Sequence, residues 1–441
     1  MRVVVIGASL AGLFAAAATA SVAAETVILE RDRLPLTPKP RKGVPQGRQA
    51  HILLHRGMLS ASALLPGLRD DLIAHGASVF DGGAMPWLGE YGWAPTWLPS
   101  FEMVSVTRPL LEHVVRTRVE ALPGVRIVED LHATALRRSG AGWQVVAEDA
   151  DPIDADVVID ASGRGSRMPH WLADLGVQVP EPEVVDAHLG YACRLYRAAG
   201  PAPLTTGIVV GATPANGRGG IALPVENEDW LIIGGGYGQH RPSRDPAEFA
   251  RYLANLADPS IADLAARLEP ISDIAVYRQT SNRRHRYGLV RSWPAGLLVV
   301  GDAACAFNPV YGQGMSVAAQ QAVRLRDHWG RPDLQRRLDR VADFPWSVAT
   351  SEDLRQPTSE GQQSLAQRLA TAWSAELARL AVAGNERAFR TFARVYHLMI
   401  EPQALFAPAL VAEVAQARVR GHQPPAPRPE VLNRLRSPQP A

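Results

Sequence analysis

The chain has 441 residues, 46% of them hydrophobic and 20% charged, which is the composition of a globular protein with apolar material for two or three cooperating lobes. A formal net charge of +2 supplies no field for drawing in nucleic acid or an anionic membrane, and no run is long and apolar enough to span a bilayer. Cys193 and Cys305, the two cysteines, lie far apart, which argues against a disulfide scaffold and fits a reducing, cytoplasmic compartment; the 12 histidines show no metal-ligand spacing, so no metal is expected.

Arg2–Ile6 reads as a strand, Gly7-Ala8-Ser9-Leu10-Ala11-Gly12 as a turn into a helix ending near Ala20, and Glu25–Leu29 as a second strand ending at Glu30. In such a βαβ unit the free N–H groups and dipole of the helix start meet a pyrophosphate, while the acid after the second strand accepts from a ribose hydroxyl pair. Gly7, Ser9, Leu10, Ala11 and Gly12 are therefore cofactor candidates, with Glu30 and its neighbour Arg31 at the ribose. Ser9 stands where the GxGxxG pattern has its middle glycine, which narrows the backbone's approach. An acid at Glu30 favours an unphosphorylated ribose, as in FAD or NAD. The apolar Val3–Ala24 has the small residues of a secretory leader, but its turn glycines and the renewed apolar run Thr26–Leu29 read as fold.

Pro35–Gln49, rich in Pro, Gly, Lys and Arg, is a loop that delivers Gln46, Arg48 and His51 to a helix expected over His51–Leu65. Arg48 either faces a flavin or its phosphates, or belongs to a solvated basic surface. Trp87, Tyr91, Trp93, Trp97 and Phe101, set among glycines and prolines, either wall an apolar pocket or form a small aromatic core. A helix from Arg108 to about Leu122 has Pro109 in its first turn and Arg108 where a guanidinium can grip a phosphate with two donors. Val125–Val128, Ala133–Arg137 and Trp143–Glu148 alternate like hairpin strands, and Val157–Ile159 is a buried strand ending at Asp160 and a glycine turn through Arg167.

From His188 to Tyr237, short strands separated by turns such as Asn216-Gly217 predict a mostly antiparallel sheet inserted between two parts of the nucleotide lobe. Arg283-Arg284-His285-Arg286 reads as an anionic docking point or, more simply, as structural pairing at a domain junction. Leu297–Val300 then forms a strand without polar alternation, as in a parallel sheet covered on both faces. It runs into Gly301-Asp302, Asn308-Pro309 and Gly312-Gln313-Gly314-Met315 before a helix over Ser316–Trp329. An acid at a strand's end before a glycine-lined helix start can bind ligand hydroxyls while N–H groups meet electron-rich atoms; the same pattern arises where an Asp merely caps a helix. Further helices are expected over Leu334–Val341, Leu365–Leu380, Glu386–Met399 and Pro408–Ala417. Leu365, Leu369, Trp373, Leu377 and Leu380 share one apolar face that docks on the body or on a partner. The Pro-rich stretch from Gln423 reads as a disordered tail.

With Gly7–Gly12 and Glu30, Arg108, Asp160–Arg167 and Gly301–Met315 in this order, the chain resembles the flavoprotein monooxygenases of the aromatic-hydroxylase type over about its first three quarters. Val44–Leu54 and Phe307–Met315 look like the bacterial branch that includes polyether and polyene epoxidases and related natural-product tailoring enzymes. The resemblance and the element pattern together give an α/β fold: a Rossmann-like FAD-binding domain (1–65, 100–170 and 285–330), an inserted, mostly antiparallel β-sheet substrate domain (66–99 and 171–284), a C-terminal helical region (331–422) and the tail (423–441).

The resemblance also implies FAD as cofactor, NAD(P)H as electron donor and O2 as co-substrate, with one oxygen atom delivered from a flavin C4a-hydroperoxide to a small lipophilic substrate. A flavin reductase is a candidate protein partner. By the same resemblance Gly7, Ser9 and Gly12 approach the pyrophosphate, Glu30 binds the adenosine ribose, and Arg108 lies near the phosphates or ribityl chain. Asp302, after Gly301, binds the ribityl chain or pyrophosphate; Pro309 borders the isoalloxazine; Gly312, Gln313, Gly314 and Met315 offer N–H groups to its N1/C2 carbonyl end. Asp160-Ala161 stands where the family has Asp-Gly, which blunts that motif and its NAD(P)H role. No Tyr or His takes the part of a ring base, so epoxidation of an alkene in a polyketide- or terpenoid-like substrate is the leading reading, and no catalytic side chain is named. The alternatives are a cyclase that uses FAD as scaffold and an NAD-dependent dehydrogenase.

Overall fold

The computed structural model describes residues 1–49, 52–198, 200 and 202–436. Val3, Val4, Val5, Val27, Ile28, Val158, Ile159 and Val299 have no exposed surface, because their strands lie in a parallel sheet covered on both faces. Its order is Leu297–Val299, Val157–Asp160, Arg2–Ile6, Glu25–Leu29, Val125–Val128. One face packs on the helices Leu10–Thr19, Arg108–Glu120 and Gln313–Asp327 through Leu13, Phe14, Leu111, Val115 and Ala319. The other is covered by a three-stranded antiparallel sheet and the Met168–Asp174 helix, through Trp143 and Trp171. This layering brings Gly7, Glu30, Asp160 and Gly301 to the carboxyl ends of adjacent strands, the edge at which open α/β sheets bind ligands.

A second sheet of eight strands has Leu189–Ala198, Asp229–Tyr237, Arg218–Pro224 and Ile208–Val210 at its centre, paired antiparallel. Trp87–Gly89 extends it, parallel to Ile208–Val210, so part of the aromatic stretch is strand. One face packs on the helices Pro246–Ala254 and Ser260–Ala265, and the other carries Leu189, Tyr191, Cys193, Leu231, Ile233 and Tyr237.

Several expectations are corrected. Val125–Val128 is no hairpin strand but the edge of the parallel sheet, where the exposed Arg126 between half-buried apolar residues produces the same alternation. The helix expected from His51 begins at His55, and His51 itself lies outside the described residues. The helix expected from Ser316 starts at Gln313, because Gly312 caps it at φ 65°. A helix over Asp343–Asp353 was not foreseen: its Pro345 and mixed polarity hide the period.

The stretch from Gln423 is anchored to the body at points between 426 and 435, while 437–441 lies outside the described residues. Ala426 bridges to Trp93, Arg428 pairs with Asp258 at 2.8 Å, and Leu432 and Leu435 are buried with Ile261 and Leu264. Two leucines at the right spacing outweigh the proline-rich composition. On Leu365–Val382 only the later half of the apolar face is used: Leu377 is buried, whereas Leu365 and Leu369 are 65% and 63% exposed. No helix among the described residues is long and apolar enough to cross a membrane.

Candidate flavin site

The first turn closes only without side chains. Gly7 has φ 103°, and a Cβ there would lie 2.7 Å from the Ala161 carbonyl oxygen; a Cβ on Gly12 would lie 1.8 Å from that of Gly7. Ser9 precedes the Leu10–Thr19 helix without capping it. Its hydroxyl instead accepts from Arg108 Nη2 at 2.7 Å and donates to Glu112 Oε2 at 3.2 Å. The helix's opening N–H groups are thus left to a ligand, as the N-terminus of a phosphate-binding helix requires.

Around this turn charges gather in a way that sequence reasoning missed. Glu30 is buried and accepts from the N–H groups of Ala8 and Asp32 at 2.8 and 3.0 Å. Arg41, from the basic loop, stands 3.2 Å from Glu30, 2.9 Å from Asp32 and 2.7 Å from Glu112. Its Nη2 is buried without a partner. Burial opposes ionisation of Glu112, but Arg108 and Arg41 outweigh it and hold the carboxyl below its ordinary value. Arg108 also points Nη1 at Met315 Sδ, 3.3 Å away, so one guanidinium joins the first motif to the last. The signal that could have found Arg41 was a second arginine in the loop after an acidic strand end, but a loop has no period to say which arginine turns inward.

Gly301 has φ 61°, and a Cβ on it would come within 2.6 Å of Ala11 Cβ, which is how closely the two motifs abut. Asp302 follows; a Cβ on Gly314 would sit 3.6 Å from its Oδ1. It lies deep, with its side chain still 33% exposed and Arg164 Nε 3.9 Å away. Burial pushes its pKa up against the pull of Arg164, Arg108 and Arg283. The helix Gln313–Asp327 is capped by no side chain, so Asp302 is not spent on capping it. Gln313 is 2% exposed, and its Oε1 has no partner.

Not every candidate joins this cluster. Asp160 is fully buried and accepts from the Ser162 N–H, the Ser162 hydroxyl and the Ser166 hydroxyl at 2.9, 2.6 and 2.5 Å; burial raises its pKa against these bonds. It holds its own turn together. Arg31 is exposed. Arg48 is exposed too, and its carbonyl accepts from the Cys193 thiol at 2.7 Å on the large sheet. Pro309 lies in the short turn Pro309–Tyr311 just before Gly312. Arg284 pairs with Asp339 and Asp343, and Arg286 with Glu183 and Asp343, which is the structural pairing expected of that basic run.

The cradle without Cβ atoms, the unpartnered guanidinium nitrogen and amide oxygen, and the open carboxylate of Asp302 suit an extended cofactor with anionic and hydroxyl groups, as FAD has. Residues 1–328 match the family model described as an FAD binding domain. The chain belongs to this FAD-binding family, of the aromatic-hydroxylase type. Within the family's reach, Protein Rv3254 of Mycobacterium tuberculosis is 32% identical over 341 residues, covering 73% of this chain and 72% of its own length. The ubiquinone hydroxylase UbiL of Rhodospirillum rubrum is 27% identical over 314 residues, covering 69% of this chain and 66% of its own. Among solved structures, the Diels-Alderase PyrE3 of pyrroindomycin biosynthesis superposes with a TM-score of 0.60 at 19% identity, covering 91% of this chain and 81% of PyrE3, a likeness of fold.

For this family member, Asp302→Ala is expected to weaken FAD binding roughly 10- to 100-fold, the loss of one hydrogen-bond set to a charged acceptor. Titration of the FAD-free protein by flavin fluorescence measures it; unchanged affinity would mean that Asp302 touches no cofactor group.

Proposed function

We propose that this chain is an FAD-dependent monooxygenase that uses NAD(P)H and O2 to oxygenate a lipophilic polyketide- or terpenoid-like substrate, with epoxidation of an alkene as the favoured outcome. The observation that carries the reading is the chemistry of the sheet face turned toward the Asn308–Tyr311 turn. It carries Leu231 and Ile233, with Leu195, Ala212 and Ile221 packed beside them, and it meets the turn where Tyr191 Oη donates to Asn308 Oδ1 at 3.0 Å. Such a face binds apolar surface and excludes water. The tyrosine and cysteine side chains buried in it are Tyr191, Cys193, Tyr237 and Tyr277, and burial raises the pKa of every one, Cys193 to about 12. None is a ready base at neutral pH. Phenol hydroxylation draws on such a base, whereas attack on an electron-rich alkene does not.

Bound FAD would supply acceptance of reducing equivalents and activation of O2. The chain's own part is positional: Arg41, Arg108 and the Gly7–Gly12 turn hold the phosphate end, Glu30 the ribose, and Asp302 a hydroxyl or phosphate group. The Gly312 N–H is spent on the Pro309 carbonyl, so the N–H groups of Gln313 to Met315 are those that would be offered to the ring's electron-rich edge. The large sheet holds the substrate dry.

The purified protein is expected to be yellow. With NAD(P)H, labelled O2 and a lipophilic alkene, it is expected to yield product carrying one labelled oxygen atom. A colourless protein that reduces NAD alone would overturn the FAD reading. Product formed equally well without oxygen, with the flavin held oxidised, would replace oxygenation by cyclisation.

A further inference from the structure

We propose that Asp353 is a positioning residue for the reaction: its buried carboxyl grips both ends of the Asn308–Tyr311 turn and thereby sets where Pro309 and the Gly312 helix start stand beside the reacting ring. The inference rests on the FAD reading for what the turn borders, and on the structure for how the turn is held.

Asp353 ends the Asp343–Asp353 helix and is fully buried. Its Oδ1 accepts from Tyr311 Oη at 2.7 Å and from Asn308 Nδ2 at 3.0 Å; its Oδ2 accepts from Asn282 Nδ2 at 2.6 Å and again from Asn308 Nδ2 at 3.0 Å. Asn308 precedes Pro309 and Tyr311 closes the turn, so one carboxyl holds the residue on each side of it. The grip is reinforced from other parts of the fold. The Asn308 N–H donates to Asn282 Oδ1 at 2.7 Å, Tyr191 of the large sheet donates to Asn308 Oδ1, and Tyr396 of the Glu386–Tyr396 helix reaches the Tyr311 carbonyl at 3.2 Å. The substrate sheet, the junction strand and two C-terminal helices therefore meet on this turn.

The grip, like that of Asp160 on its own turn, is made without a cation, but here it joins separate segments. Every donor bonded to the Asp353 side chain is neutral, with no arginine, lysine or histidine among them. Burying an acid without a cation is costly, and a carboxyl so placed is retained where bonds to a charged acceptor, stronger than neutral ones, are needed to fix geometry. Burial pushes its pKa up to about 6 against the bonds from Tyr311, Asn308 and Asn282. Nothing in the sequence pointed here, because Asp353 lies far along the chain from Asn308 on a helix whose pattern is hidden.

The test uses Asp353→Asn and Tyr311→Phe in the FAD-loaded protein, with amide hydrogen exchange of residues 308–315 followed in both the FAD-loaded and FAD-free forms. An asparagine presents an NH2 group to donors that need an acceptor, so at least one end of the turn is released. Both variants are expected to keep most of the FAD affinity, since Arg108, Glu30 and Asp302 lie outside the turn, while the flavin absorption band shifts and exchange over 308–315 quickens. Product formed per NAD(P)H oxidised is expected to fall about tenfold or more in Asp353→Asn, as displacement of a reacting group by a fraction of an ångström to an ångström does. A variant that unfolds at lower temperature yet keeps the native flavin band and the native exchange overturns the proposal and leaves Asp353 a packing residue. If the native chain takes up no FAD, the monooxygenase reading fails, and exchange in the FAD-free protein still decides whether Asp353 holds the turn.

Discussion

Arg41→Ala is expected to cost about 3–5 kcal/mol of stability and to abolish retention of FAD, because it removes the shared cation from a set of buried carboxylates. The side chains of Arg41, Glu30 and Glu112 are 6%, 5% and 9% exposed, so water cannot replace the lost guanidinium. The effect has a pH signature. Arg41 and Arg108 hold Glu112 below its ordinary 4.5, so this acid contributes stability above that value that is lost as pH falls through its folded pKa. Without Arg41 that contribution shrinks, and the gap between native chain and variant is wider at neutral pH than at a pH below 4.5, where Glu112 takes up its proton. Thermal unfolding of the FAD-free proteins at both pH values measures it. A gap that does not change with pH would assign the loss to packing alone, and Arg41→Lys, which keeps a charge but not the fork, is expected to fall between the two.

Gly12→Ala is the second large effect. The added Cβ would lie 1.8 Å from the Gly7 oxygen and 3.0 Å from its carbonyl carbon, and both are backbone, so no side-chain rotation relieves the clash. The Gly7–Gly12 turn must open, at a cost of about 1–3 kcal/mol or more, and the phosphate cradle opens with it. Gly165→Ala is the control, since a Cβ there meets nothing within 4 Å. FAD content after gel filtration and the melting temperature are expected to drop for the first variant and hold for the second. Equal behaviour of the two would show that the turn accommodates a side chain.

How far the sequence reached follows from what each feature depends on. Strands such as Arg2–Ile6 and Glu25–Leu29 were legible to the residue, because a sheet buried on both faces writes its burial directly into a short apolar run. Gly7, Gly12 and Gly301 were legible because their conformations and close approaches exclude other residues. Arg41 was not, and Arg48 of the same loop drew attention although it lies at the surface. Which arginine turns inward is decided by Glu112, on a helix far along the chain. Val125–Val128 was misassigned because its neighbours set its role and its own pattern does not. The Asp353 network was invisible for the same reason: Asn282, the Asn308–Tyr311 turn and Asp353 share no local pattern and become one object only when three segments meet.

The packing of Leu432 and Leu435 against Ile261 and Leu264 sets an order of events during synthesis. The Ser260–Ala265 helix leaves the ribosome long before the segment that covers its outer side, so each nascent chain passes through an interval with Ile261 and Leu264 bare. The residues proposed to hold FAD are synthesised well before the interval ends. A chain cut before Leu432 would therefore keep the groups proposed to hold FAD and nonetheless be prone to stick to its own kind.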